Sequence, residues 1–305
     1  MIEAKTVFIT GAASGFGYEI TKKIAQDPKY NPVYAIDKNP QVHELFPSNT
    51  FKRVKAIGLD VRDSQKTAAV VDQIITERGA IDVLINNAGI MISGRAHTFF
   101  DESGKPTEDL RAMWETNLRA PLELMLKVLP AMRKKRNGVI INITSSSPYN
   151  RTPHRAVYAD YKASLAGSTA IVAKRESPFN IRAINVEPGM HATALDNGRW
   201  TERSDELDAF ASQALYLWWR RRFAADPKNV ANVVHKILEG QVLDDKVSIG
   251  WDSKFARFMN DNFPIWRTVF TNSYKALHLY NVLLLRGLEK VLDTLDTVFP
   301  SKEKS

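Results

Sequence analysis

Tyr158, Lys162 and Ser145 are side chains whose types and spacing suit proton transfer. A phenol titrates near ~10, so it needs a neighbouring cation before it exchanges protons efficiently at neutral pH. Tyr158 and Lys162 are four residues apart and would share one face of a helix. Ser145 follows the apolar run GVIINIT at 138–144, which predicts a buried strand ending at the serine. We expect a polar site at the end of that strand.

A second motif lies near the start of the chain. Residues 6–10, TVFIT, predict a strand, residues 11–17, GAASGFG, a glycine turn, and residues 18–25, YEITKKIA, a helix. Glycines let the backbone approach a pyrophosphate closely, and a helix N-terminus attracts negative charge. Asp37 ends a second predicted strand, where an acid can accept both hydroxyls of a ribose. The pattern predicts a dinucleotide site.

Strands and helices alternate along the chain. Strands are predicted at 6–10, 33–37, 55–60, 81–86, 138–144, 181–187 and 246–250. This alternation predicts an α/β fold with a doubly wound parallel sheet over residues 1–250. Apolar residues at three-to-four spacing predict a helical, amphipathic extension over residues 251–305. The protein's own core, another subunit or a membrane surface could cover its apolar face.

These motifs together resemble the short-chain dehydrogenase/reductase family over roughly residues 1–250, and the resemblance implies a Rossmann fold. The matching motifs, in chain order, are residues 10–17 (TGAASGFG), Asp60-Val61, residues 86–89 (NNAG), Asn117, Ser145, Tyr158 with Lys162, and residues 188–193 (PGMHAT). Any one of them could arise by chance. Their occurrence in the family's order makes the resemblance specific.

The resemblance implies four catalytic residues. Tyr158 would exchange a proton with the substrate oxygen, and Lys162 would bind the cofactor ribose and assist the tyrosine. Ser145 would hold the substrate oxygen, and Asn117 would position water in a proton relay. Without the other matching residues, the preferred interpretation of Asn117 is an asparagine that interrupts a helix or lies on its surface.

The cofactor is expected to be NAD, with NADP as the alternative. The implied contacts are Gly11, Ser14, Gly15, Phe16, Gly17, Asp37, Asp60, Val61, Asn87, Ala88, Gly89, Tyr158, Lys162, Pro188, Gly189 and Thr193. Asp37 would repel the 2′-phosphate of NADP, and Ser14 stands where a basic residue would favour it. Lys38 keeps NADP open, because its cation could turn toward a 2′-phosphate.

The implied activity is an oxidoreductase that interconverts an alcohol and a ketone or aldehyde. Residues 194–226 match the family's substrate lid and are rich in aromatic side chains. They favour a bulky, lipophilic alcohol or ketone, although packing onto the core or a partner subunit is an equal alternative. A non-catalytic NAD(H)-binding regulatory or scaffold protein is the competing hypothesis, which the complete set of four catalytic groups disfavours. A homo-oligomer is the family expectation.

His191 departs from the family pattern, which has a branched apolar residue at this position. We expect a surface histidine, because the backbone makes the cofactor contact there. The alternative is a histidine that faces the substrate and titrates near neutral pH.

Composition narrows the function classes. The 305 residues contain no cysteine, which excludes disulfides, cysteine metal sites and thiol catalysis, and we expect no metal. A net charge of +8 raises nucleic acid as a partner. The cluster 133–136 (RKKR), however, is expected in the last turn of a helix stopped by Gly138, and no zinc or RNA-binding motif accompanies it. No nucleic-acid partner is therefore expected.

The sequence contains neither a signal peptide pattern nor an apolar run long enough to span a membrane. We expect a cytoplasmic protein. Peripheral membrane contact through the tail at 251–305 is the alternative.

Overall fold

One parallel sheet forms the centre of the protein. The computed structural model describes residues 4–150, 153–193, 195 and 224–262. The strands are β1 Lys5–Thr10, β2 Tyr30–Asp37, β3 Val54–Gly58, β4 Val83–Asn86, β5 Gly138–Ile143, β6 Ile181–Pro188 and β7 Lys246–Ile249. They pair in parallel in the order β3-β2-β1-β4-β5-β6-β7. The predicted fold class is confirmed, with strand ends shifted by a few residues.

Helices cover both faces of the sheet. They are α1 Gly15–Ala25, α2 Val42–Leu45, α3 Ser64–Arg78, α4 Glu108–Trp114, α5 Ala120–Lys135, α6 Ser147–Asn150, α7 Ala156–Glu176, α8 Lys228–Leu238 and α9 Trp251–Asn262. A π-helical turn, Glu115–Arg119, joins α4 to α5. On one face the sheet buries Ile20 and Ile24 of α1 and Val234 of α8. On the other it buries Leu124 of α5 and Leu165 of α7. Each such side chain contributes roughly 1.5–3 kcal/mol on burial.

The strand order reverses between β1 and β4. In open α/β sheets, ligands bind outside the carboxyl ends of the strands at such a switch point. The glycine turn after β1 and the loop after β4 therefore meet at one edge, beside the end of β5. The fold thus brings both sequence motifs to the same edge of the sheet.

Three asparagines on neighbouring strands form a buried amide row beneath this edge. Asn86 pairs in register with Asn142, and Asn142 with Asn185. The Asn86 amide donates to the Asn142 side-chain oxygen at 2.8 Å, and the Asn142 amide donates to Thr169 Oγ1 at 2.7 Å. The Asn185 amide donates to the carbonyl oxygen of Ala166 at 2.9 Å. Since Thr169 and Ala166 belong to α7, the row fixes α7 against β5 and β6.

The basic cluster ends α5, as predicted, but the predicted glycine stop is wrong. Arg136 terminates the helix in the left-handed conformation, with φ of 52°. Gly138 is instead the first residue of β5, where a Cβ would lie 2.5 Å from Met132 Sδ. Arg133 pairs with Glu176 at 2.5 Å, and Lys135 pairs with Asp82 at 2.9 Å. These two cations therefore form ion pairs with acidic residues of the same fold.

Part of the sequence predictions concerns residues that the structure does not describe. Of the predicted lid at 194–226, residues 194 and 196–223 lie outside the described residues. Of the predicted extension at 251–305, only α9 is described. In the described part of the chain, no helix is long and apolar enough to cross a bilayer.

Candidate active site

A cavity of about 750 Å³ opens at the carboxyl edge of the sheet. This volume lies in the range typical of small-molecule and cofactor sites. The predicted site residues that line it are Gly11, Ser14, Gly15, Phe16, Asp37, Asp60, Val61, Asn87, Ala88, Gly89, Ser145, Tyr158, Lys162, Pro188, Gly189 and Thr193. Gly17 and Asn117 lie behind this lining. The fold therefore gathers the predicted cofactor and catalytic residues around one space.

The glycine turn builds one wall of the cavity. Gly11 and Gly15 have φ of 69° and 52°, in the left-handed region that glycine adopts without strain. A Cβ at Gly17 would collide with the carbonyl oxygen of Gly11. Helix α1 begins at Gly15 without a side-chain cap from Ser14. The first backbone N–H groups of α1 are therefore available to an anion such as a pyrophosphate.

Asn87 holds the glycine turn from the neighbouring strand. Its amide nitrogen donates to the carbonyl oxygens of Thr10 and Gly11, each at 2.9 Å. The hydroxyl of Thr10 accepts from the backbone N–H groups of Asn87 and Ala88, at 3.1 and 3.0 Å. Asn87 thus lines the cavity while its side chain supports the turn. Thr10, the first residue of the motif at 10–17, therefore supports the loop after β4.

Asp37 stands at the end of β2 with its carboxylate fixed. One oxygen accepts from the backbone N–H of Ala13 at 2.9 Å, and the other from that of Asn39 at 2.8 Å. These bonds hold a negative charge beside the glycine turn. A carboxylate keeps further lone pairs for other donors.

Asp60 forms a bidentate pair with Arg62 at the same end of the cavity. Arg62 Nε donates to the Asp60 Oδ1 atom at 3.2 Å, and Arg62 Nη2 donates to the Asp60 Oδ2 atom at 2.7 Å. Burial alone would raise the pKa of Asp60, but the hydrogen bonds from Arg62 outweigh it and hold that pKa below its usual value. Arg62 was not predicted, because its role becomes visible only once the loop after β3 is folded.

Tyr158 and Lys162 lie on one face of α7, as the spacing predicts. Tyr158 is 4% exposed and Lys162 is 3% exposed. The Lys162 Nζ atom donates to the carbonyl oxygen of Ile143 at 3.0 Å and lies 5.8 Å from the centroid of the Tyr158 ring. Burial lowers the pKa of Lys162 to about 8. The site thus holds a phenol beside an ammonium group whose pKa is lowered toward neutral pH.

Ser145 follows the end of β5 and faces the same space. Its Oγ accepts from the backbone N–H of Ser147 at 3.1 Å and lies 2.9 Å from Ser147 Oγ. The backbone bond leaves the Ser145 hydroxyl proton free to point toward Ser147 or toward a bound oxygen. The hydroxyl can therefore donate to a substrate oxygen.

Asn117 lies in the π-helical turn and is fully buried. Its side-chain oxygen accepts from the Ile90 N–H at 3.1 Å, and its amide donates to the Ile90 carbonyl at 2.8 Å. Single π-helical turns are frequent at functional sites. The side chain is occupied in holding the loop after β4, and a Cβ at Gly89 would lie 3.1 Å from the Asn117 oxygen. Asn117 therefore interrupts a helix and also lies directly beneath the cavity wall.

The expectation of a surface histidine at position 191 is wrong. His191 is 2% exposed, and its ring packs edge-on against Phe16 with centroids 5.2 Å apart. Its Nδ1 lies 3.0 Å from the carbonyl oxygen of Gly189, which requires that Nδ1 carry the proton. Its Nε2 is buried and has no hydrogen-bond partner among the described residues. The ring is packed against Phe16 at the position where the family pattern has an apolar side chain.

Glu187 is a buried acid behind the cavity that the sequence analysis missed. Its carboxylate accepts from the Tyr149 hydroxyl at 2.9 Å and from Ser248 Oγ at 3.1 Å, and Lys246 Nζ lies 3.7 Å away. Burial and the neighbouring carboxylate raise the pKa of Tyr149. Glu187 joins α6 and β7 to the turn after β6. A glutamate directly before Pro188 was the available signal.

The comparisons with known proteins agree with this fold. Residues 5–204 match the protein family described as short chain dehydrogenase. The chain belongs to this family. Its family and its relatives, which are named dehydrogenases and reductases, make it an oxidoreductase with a nicotinamide dinucleotide-binding fold.

Several relatives carry the names of ketone reductases. The chain is 29% identical over 242 residues to a 3-ketodihydrosphingosine reductase of Bacteroides thetaiotaomicron, covering 78% of this chain and 84% of that protein. It is 33% identical over 250 residues to the ketoacyl reductase HetN of Nostoc, covering 80% and 78%.

Solved structures show the same fold. A short-chain dehydrogenase from Streptomyces avermitilis matches with a TM-score of 0.72 and 25% identity, covering 90% of this chain and all of that one. A 3-ketoacyl-(acyl-carrier-protein) reductase from Brucella melitensis, complexed with NADH, matches with a TM-score of 0.66 and 19% identity over 82% of this chain and 98% of that one.

Proposed function

We propose that this protein is an NAD-dependent dehydrogenase/reductase that interconverts a secondary alcohol and a ketone, or a primary alcohol and an aldehyde. The observation that carries the proposal is the arrangement of Tyr158, Lys162 and Ser145 at one end of the cavity. The glycine turn and Asp37 form the other end. An acid/base group and a dinucleotide-binding turn thus share one space.

The cavity fits a dinucleotide cofactor. Gly11, Gly15 and Gly17 keep the turn free of side chains, and the uncapped start of α1 offers donors for a pyrophosphate. Asp37 offers a carboxylate for ribose hydroxyls, and Lys162 offers an ammonium beside Tyr158. A bound nicotinamide would supply hydride transfer.

In this proposal Tyr158 carries the proton. Its phenol gives a proton to the carbonyl oxygen during reduction and takes one from the alcohol during oxidation. Lys162 favours the phenolate through its adjacent charge. Ser145 donates a hydrogen bond to the same substrate oxygen, and Asn117 holds the loop that closes the site from below.

NAD is the proposed cofactor rather than NADP. The Asp37 carboxylate is tied to two backbone N–H groups, so it is not free to turn away from a 2′-phosphate. Its charge would repel that phosphate. Lys38 lines the cavity nearby and is the feature that favours NADP.

The proposed substrate is a bulky, lipophilic alcohol or ketone. Met91, Ile92 and Leu195 give the cavity an apolar wall near Tyr158. Two relatives are named for reducing keto groups, on dihydrosphingosine and on ketoacyl compounds. A keto group on a long chain is therefore the first substrate class to test.

A homo-oligomer is part of the proposal. Leu126 on α5 and Ile171 on α7 are 69% and 61% exposed, and a second copy would cover both. Membrane contact through residues 251–305 and a cytoplasmic location stay predictions.

The test is a panel assay with the purified protein. Oxidation or reduction of the nicotinamide is followed by absorbance with NAD(H) and NADP(H), against long-chain 3-keto compounds, steroids and aromatic alcohols with their ketones. Turnover of a bulky substrate with NAD preferred supports the proposal. Binding of NAD without turnover of any compound would favour the regulatory or scaffold alternative.

A further inference from the structure

The first turn of α9 reaches back to the cavity. The Asp252 carboxylate accepts from the backbone N–H of Met190 at 2.7 Å, and Asp252 lines the cavity. The next residue, Ser253, is fully buried and donates from its Oγ to the carbonyl oxygen of Glu187 at 2.8 Å. Two consecutive residues of α9 thus fasten the turn that follows β6.

Two glycines make room for the Asp252 carboxylate. A Cβ at Gly189 would collide with it, and a Cβ at Gly250 would lie 2.7 Å from its Oδ1. Gly250 has φ of 94°, which other residues rarely adopt. The absence of a side chain at Gly189 and at Gly250 therefore leaves the space that the Asp252 carboxylate occupies.

The Asp252 carboxylate bonds outside its own helix. A side chain at the N-cap bonds N–H groups of its own helix, and an acid in the first turn stabilises the positive end of the dipole. Asp252 instead bonds Met190 in the turn after β6, and both residues line the cavity. In the described part of the chain no lysine or arginine pairs with it. Its negative charge therefore lies in the cavity wall next to this turn.

We propose that Asp252 is a positioning residue that holds the Met190 peptide and makes the site bind NAD⁺ more tightly, relative to NADH, than a neutral residue would. The inference rests on the proposed function and on the family resemblance, which implies that the turn at 188–193 contacts the nicotinamide. The oxidised ring carries a positive charge and the reduced ring is neutral. An anion at this end of the cavity attracts the first and has little effect on the second.

The test measures affinity rather than activity. Dissociation constants for NAD⁺ and for NADH are measured separately by isothermal titration calorimetry, without substrate, for the wild type, Asp252→Asn and Asp261→Asn. Asparagine keeps an oxygen that accepts from Met190, so it removes the charge alone. Asp261 lies on the same helix, where it pairs with Arg257, and its substitution is the matched control.

The Asp252→Asn change is expected to weaken NAD⁺ binding about fivefold and to change NADH binding less than about twofold. The control should alter neither. Equal weakening of both forms, or no change in either, would overturn the inference while leaving the proposed function standing. If the wild type binds neither form, the proposed function itself fails. If Asp252→Asn does not fold, the ratio of the dissociation constants for NAD⁺ and NADH is measured in Asp252→Ser instead, with the same expected change.

Discussion

The Lys162 Nζ atom lies 5.8 Å from the centroid of the Tyr158 ring, and both side chains are almost wholly buried. A buried ammonium has lost most of its hydration and gains one hydrogen bond to Ile143 in return. Its charge is therefore held at a cost to stability. A buried cation with a lowered pKa beside a buried phenol in a cavity marks a candidate acid/base site.

Replacing Tyr158 with phenylalanine should abolish turnover and leave the cofactor site intact. The change removes only the hydroxyl that exchanges the proton, so kcat should fall about a thousandfold while the NAD dissociation constant stays within about twofold. Steady-state kinetics and calorimetry measure the two quantities. Tyr161→Phe is the matched control, since Tyr161 lies one turn further along α7 and does not line the cavity. Turnover near wild type in Tyr158→Phe would remove Tyr158 from the acid/base role.

Lys162 should make the stability of the cofactor-free protein rise with pH in the alkaline range. Its pKa is about 8 when folded and 10.5 as the reference for the unfolded chain. Below pH 8 it is charged in both states, so the burial penalty is complete. Between 8 and 10.5 the unfolded state binds more protons, so stability increases as pH rises.

The measurement for Lys162 is urea unfolding of the wild type and Lys162→Met at a series of pH values. The free energy of unfolding of the wild type, minus that of Lys162→Met, should rise by up to about 3 kcal/mol between pH 8 and 10.5. Taking the difference between the two proteins cancels the titration of other groups. A difference that stays constant across this range would contradict a depressed pKa for Lys162.

Asp37 should decide the preference between NAD and NADP. Asp37→Ala removes the acceptor for ribose hydroxyls and the charge that repels a 2′-phosphate, so the ratio of kcat/KM for NAD to that for NADP should fall at least about tenfold. Glu44→Ala removes the same charge from the exposed face of α2 and should leave the ratio unchanged. An unchanged ratio in Asp37→Ala would shift the assignment toward Lys38.

The seven strands were predictable because each is a local apolar run. The grouping of the motifs was predictable because the motifs follow parallel strands. Apolar runs such as 138–144 mark buried parallel strands, and parallel strands bring their carboxyl ends to one edge. The supporting groups were not predictable. Glu187 and Asp252 contact segments far away in sequence: Glu187 accepts from the hydroxyls of Tyr149 and Ser248, and Asp252 accepts from the backbone N–H of Met190.

His191 shows a second limit of sequence reasoning. A histidine in a turn is usually exposed, yet here the turn folds under Phe16 and bonds Ala225 on both sides through residues 190 and 192. The family pattern, with an apolar residue at this position, was the better guide to burial than the polarity of the side chain. The burial of His191 is therefore set by its position in the fold and not by the polarity of its side chain.

Gly17→Ala and Gly167→Ala should have opposite effects although both residues lie in helices. A Cβ at Gly17 would collide with the carbonyl oxygen of Gly11, so the turn must open, and both stability and NAD binding should be lost. Gly167 lies on the exposed face of α7 with nothing within 4 Å of a Cβ, so alanine there should stabilise the protein by about 0.5–1 kcal/mol. Thermal unfolding and calorimetric titration with NAD distinguish the two. NAD binding retained at wild-type strength in Gly17→Ala would show that the close approach of α1 to Gly11 is not what shapes the cofactor site.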